Sequence, residues 1–156
     1  MIKFEKILFP FDFSELSLHA LRYARSFVET YEAELHVLHV LDEACQYWMA
    51  MGPNSVPVGP PPDELLAASK QEMAKFVQEH LADAAFPVKT EVRIGRPFME
   101  IIRYAREHQI DLIVLGTHGR SGLKHALMGS VAERVVRKAA CPVLTIRHPE
   151  HEFVMP

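Results

Sequence analysis

Apolar runs of strand length alternate along this chain with stretches in which apolar residues recur at helical spacing. That alternation predicts strand-helix-strand units and a mostly parallel α/β sheet covered on both faces. The first run, KILFPF at residues 6–11, is followed by Asp12 and Ser14, which offer caps to a helix with the apolar stripe Ala20, Ala24, Phe27, Val28 and Tyr31. AELHVLHVL at 33–41 is the second strand, interrupted mainly by His36 and His39. Residues 42–62 are rich in Pro, Gly and Met and show neither period.

Helical spacing returns with Leu65, Leu66, Met73, Phe76, Val77, His80 and Leu81. PVKTEVRIG at 87–95 then alternates like an edge strand with one polar face. Pro97 suits the first position of a third helix, whose apolar stripe is Ile101, Ile102 and Ala105. DLIVLG at 111–116 is the most hydrophobic strand, as expected at the centre of a doubly covered sheet. A fourth helix is predicted over 131–139, and CPVLTIR at 141–147 is a fifth strand. One domain over 1–148 is expected, with 42–62 as a flexible loop and 149–156 as a loosely held tail.

Charge narrows the function classes. The net charge of -3 provides no global positive field for a nucleic-acid backbone or an anionic membrane, so any anion site must be local. No window approaches spanning length and the first residues lack a long apolar region, which gives the expectation of a cytoplasmic protein. Two cysteines, Cys45 and Cys141, are too few for a disulfide framework or a cysteine-rich zinc site.

The stretch GTHGRSGLKHALMGS at 116–130 carries the candidate chemistry. It follows a strand, and ligands of parallel α/β sheets bind beyond the carboxyl ends of strands, where the strand order reverses. The helix that follows would offer unpaired N–H groups and the positive end of its dipole to an anion. Gly129 is expected to allow close approach to the backbone, and Ser130 to supply an N-cap hydroxyl. Gly116, Gly119 and Gly122 would adopt positive φ and turn amides inward as a nest, with Arg120 and Lys124 adding charge. No Asp or Glu lies between Asp111 and Glu133. These features predict a polyphosphate site. The first strand-to-helix turn has no glycine, which excludes a dinucleotide fingerprint, and no G-x-x-x-x-G-K-[ST] occurs.

Glycine, two residues, glycine, nine residues, glycine and serine, read from Gly116 to Ser130, resembles the ATP-binding motif of the universal stress protein family. KILFPFDFSE, GRPFMEIIRYA, DLIVLGTHGRSG and CPVLTIR are similar to that family as well, in the same order along nearly the whole chain. The resemblance implies a Rossmann-like five-stranded parallel sheet in the order 3-2-1-4-5, a homodimer, and in one branch tight ATP binding. The nucleotide contacts it implies are Pro10, Asp12, Val40, Leu115, Gly116, Thr117, His118, Gly119, Arg120, Ser121, Gly122, Gly129, Ser130 and Val131. Asp12 would face the ribose hydroxyls, because a carboxylate repels phosphates. Val40 would offer its main chain to the adenine edge, with Pro10 and Leu115 as an apolar wall. Mg²⁺ or Mn²⁺ would be held through the phosphates and water. Under that order the fifth strand is an edge, so antiparallel pairing of residues 142–147 across a two-fold axis is expected. Pro142 reads equally as a device that blunts the edge.

Simpler readings stand beside these. Ser130 and Glu133 match a capping box, with Glu133 reaching back to the Ser130 amide. Asp12 could cap the first helix. Among nine histidines, His36 and His39 point to opposite faces of one strand, and His118 and His125 share a loop of donors, so no protein-only metal site is expected. Three functions remain open: an ATP-dependent switch in a stress response that binds an unidentified protein partner, a slow ATPase or self-phosphorylating enzyme using Ser121, Ser130 or His118, and a nucleotide-independent dimeric interaction module.

Overall fold

Lys6–Pro10 forms β1, followed by α1 (Glu15–Tyr31), β2 (Glu34–Asp42), α2 (Pro62–His80), β3 (Val88–Gly95), α3 (Pro97–Glu107), β4 (Leu112–Gly116), α4 (Ser130–Lys138) and β5 (Val143–Ile146). These elements belong to a computed structural model that describes residues 1–42, 60–118 and 128–147. The strands form one five-stranded parallel sheet in the order β3-β2-β1-β4-β5. Register is set by pairs such as Leu8 with His36, Leu8 with Ile113, and Leu115 with Thr145.

Successive side chains leave a strand on opposite faces, so the apolar runs of the central strands fill two cores at once. Ile7, Phe9, Leu35, Val37, Leu112 and Val114 meet α1 and α2 through Ala20, Ala24, Val28, Met73 and Phe76. Leu8, Leu38, Ile113 and Leu115 meet α3 and α4 through Ile101, Tyr104, Ala132 and Val135. Each fully buried large apolar side chain, Phe9 or Ile113 for example, contributes about 1.5–3 kcal/mol relative to exposure.

Several boundaries and stripes differ from the sequence pattern. β1 ends at Pro10, although the Phe11 amide still donates to Leu38 O at 2.8 Å. Of the two caps expected for α1, Ser14 is the N-cap, its side chain accepting from the Ser17 amide. The buried stripe of α3 is Glu100, Ile101 and Tyr104, while Ile102 and Ala105 are half-buried. Amphipathic spacing could not anticipate Glu100 and Tyr104, because polar partners make their burial tolerable. Glu100 is held by Arg103 at 2.7 Å, and the Tyr104 hydroxyl lies 2.8 Å from Nδ1 of buried His36. His36 and His39 do occupy opposite faces, meeting Tyr104 of α3 and Phe13 respectively.

Candidate functional site

β1 lies between β2 and β4, and the chain fills the β2 side before crossing to the β4 side. The strand order therefore reverses between β1 and β4, and their carboxyl ends open the crevice in which ligands of such sheets bind. Three pieces of chain converge on these ends: Pro10 to Ser14, Gly116 to His118, and Met128 to Val131.

The β1 piece is tightly bonded. Asp12 Oδ1 accepts the Ser14 amide at 3.0 Å, the Ser14 hydroxyl at 2.6 Å and the Ser17 hydroxyl. The sequence signal for Ser17 is faint, a serine three residues after the cap. Phe13 follows with φ 62, a left-handed conformation rare for a bulky residue. Pro10 and Val40 are half-buried, and Val40 packs against the α3 and α4 core. Leu115 is buried in the same core.

The β4 end is joined directly to the start of α4. Thr117 is buried, its amide donates to Ile146 O at 2.9 Å, and its carbonyl accepts the Gly129 amide at 2.6 Å. His118 is half-buried, with Nδ1 3.0 Å from the Thr117 hydroxyl. Gly119, Arg120, Ser121 and Gly122, with Lys124 and His125, lie outside the described residues.

Three expectations for this end are corrected. Gly129, not Ser130, is the N-cap of α4, and no side chain caps it. The capping box is absent: Glu133 bonds Arg137 at 2.9 Å, one turn on, in place of the Ser130 amide. A Cβ at Gly129 would crowd the main chain, meeting Thr117 O at 3.1 Å and His118 Cα at 3.4 Å. The Gly129 amide is also occupied, by Thr117. Gly116 does not have positive φ, and a Cβ there would crowd the Leu16 side chain, 3.1 Å from Cγ.

The amides left at the mouth of α4 belong to Ser130, Val131 and Ala132. Among the described residues none accepts from them, and they carry the positive end of the helix dipole. Ser130 is exposed and Val131 half-buried, so the first two are reachable. Arg134 stacks on the Phe98 ring, 5.0 Å from its centroid, which anchors this turn of α4 on α3. Cys141 precedes β5 at the opposite end of the sheet, and burial pushes its thiol pKa up, away from nucleophilic use. Among the described residues no group of three His, Cys, Asp or Glu side chains could hold a metal ion, and no helix is long and apolar enough to cross a membrane.

A family model described as the universal stress protein family matches residues 3–147. Universal stress protein MJ0531 of Methanocaldococcus jannaschii is 35% identical, with 96% of this chain and 85% of that protein covered. Universal stress protein MJ0577 of the same organism is 31% identical over 94% of this chain and 96% of its own length. Its solved structure superimposes with a TM-score of 0.80 at 32% identity, covering 96% of this chain and 99% of that one. A universal stress protein solved in complex with cAMP shares the fold, with a TM-score of 0.65 at 21% identity over 94% and 98% of the two chains.

Proposed function

The chain belongs to the universal stress protein family, and from that premise we propose that it binds ATP and acts as a nucleotide-dependent switch in a stress response. The observation that carries the proposal is the set of amides of Ser130, Val131 and Ala132 from which no described residue accepts, at the helix mouth beside the strand-order reversal. Phosphate oxygens would take these N–H groups, and the stretch Gly116, Thr117, His118, Gly119, Arg120, Ser121 and Gly122 would complete the cradle, Arg120 supplying charge. Gly129 would contribute by fixing the helix mouth, since its own amide is committed to Thr117. Asp12 would accept from the ribose hydroxyls, Val40 would offer main-chain groups to the adenine edge, and Pro10 and Leu115 would wall the base. Mg²⁺ or Mn²⁺ would neutralise charge from the phosphate side. An adenine nucleotide is a ligand that this fold accommodates in the cAMP complex, a likeness of fold.

The proposal extends to a homodimer paired through residues 142–147 of the β5 edge, to a protein partner whose binding follows the nucleotide state, and to the cytoplasm as the place of action. Two measurements test the nucleotide reading. Protein purified without added nucleotide, denatured by heat and chromatographed, should release adenine nucleotide. The refolded or nucleotide-free chain should melt at higher temperature with ATP and magnesium. Neither released nucleotide nor a melting shift would leave a family member working through protein contacts alone.

A further inference from the structure

His39 is buried on the α1 and α2 side of β2, one residue before Val40. A carbonyl oxygen can only accept, so the 2.7 Å contact between His39 Nδ1 and Phe11 O fixes Nδ1 as the protonated ring nitrogen. The same ring meets Phe13 edge to face, with centroids 4.5 Å apart at 62°. Phe13 is the residue held at φ 62, and such a conformation persists only where its surroundings over-determine it. Asp12 lies between these two residues in the chain, and its Oδ1 accepts from Ser14 and Ser17. One histidine thus grips both ends of the turn that presents the carboxylate.

We infer that His39 is a positioning residue for the nucleoside end of the site, holding the Phe11 carbonyl and the Phe13 ring so that Asp12 is set for a sugar hydroxyl. The inference rests on the nucleotide reading above and adds to it a residue that touches no ligand. The amides of α4 are joined to β4 through Thr117.

Substitution by Asn or Gln separates position from polarity. An Asn amide nitrogen reaches the place of Nδ1, whereas a Gln amide nitrogen reaches the place of Nε2. By calorimetric titration of the full chain with ATP in magnesium buffer, His39→Asn should bind within about threefold of wild type, while His39→Gln should bind about tenfold more weakly. A unfolding midpoint measured on each variant must not track this difference. Equal ATP affinity in the two variants, or a loss in both proportional to a loss of stability, would overturn the assignment. Nitrogen-15 spectra of the wild type provide a check that needs no variant: the His39 ring should carry its proton on Nδ1 at neutral pH, and the Nε2–H tautomer would equally overturn it. If the wild type itself fails to bind ATP, the nucleotide reading falls and this inference with it; if it binds and the Asn and Gln variants bind alike, only the role of His39 falls.

Discussion

The Thr117 carbonyl oxygen accepts the Gly129 amide at 2.6 Å, bringing together the two ends of the glycine-rich stretch. The bond sits where β4 ends and α4 begins, and buried Thr117 is tied in turn to Ile146 of β5. The mouth of α4 is therefore placed by the sheet rather than by a side-chain cap.

Gly129→Ala should destabilise the fold. The added methyl meets main-chain atoms of Thr117 and His118, which cannot move without disturbing the Thr117 bonds to Gly129 and Ile146. Overpacking of this kind costs about 1–3 kcal/mol. A denaturant midpoint unchanged from wild type would show that the β4 to α4 joint gives way freely.

Ser130→Pro separates folding from binding. Position 130 is the first of α4, where an N–H has no helical partner, and Gly129 before it has ψ 158, the extended conformation that a residue preceding proline prefers. Stability should stay within about 0.5 kcal/mol of wild type, while ATP affinity falls as one phosphate donor is lost. Ser130→Ala, which keeps the amide, should fall less. Equal binding by wild type and Ser130→Pro would remove the Ser130 amide from the site.

Acid should weaken the fold through His36. This ring is fully buried, its Nδ1 lies 2.8 Å from the Tyr104 hydroxyl, and Nε2 lies 3.3 Å from Glu34 Oε2 but out of line for a hydrogen bond. Burial pushes its pKa down, outweighing the Glu34 carboxylate that pulls it up. A histidine kept neutral in the fold binds its proton more readily once unfolded, so stability is intact above the unfolded pKa of about 6.5 and falls below it by at most about 1.4 kcal/mol per pH unit. His36→Gln should flatten the fall in unfolding free energy between pH 7 and 5; a slope equal to that of wild type would assign the acid sensitivity elsewhere.

The β5 edge can be blocked without touching its inner ladder. Pro142 O accepts from Ile113 at 3.0 Å and Ile146 O accepts from Thr117 at 2.9 Å, so alternate residues face β4 while Val143 and Thr145 turn their main-chain groups outward. Thr145→Pro removes one outward N–H, a change that edge strands tolerate. Sedimentation should find the wild type dimeric and Thr145→Pro monomeric and folded. A variant that remains dimeric would place the dimer contact on another surface.

The order and type of the elements were written into the sequence, because burial on two faces demands long apolar runs in central strands and one apolar stripe on each covering helix. DLIVLG announces an interior strand and PVKTEVRIG an edge from local pattern, whereas the middle place of KILFPF came only with the strand order that the resemblance implies. The glycine and serine spacing picked out the stretch that joins the end of β4 to the start of α4. Only the tertiary structure shows what surrounds Gly129 and Gly116: a Cβ added at either would come within 3.1 Å of Thr117 O or of Leu16 Cγ on α1. The same holds for Glu133, whose capping-box spacing pointed to the Ser130 amide whereas the structure pairs it with Arg137, and for His36, His39 and Tyr104, polar groups whose burial no period predicts. Periodicity records which side of an element faces inward. It carries no record of the distant atom that makes burying a polar group, or omitting a side chain, the lower-energy choice.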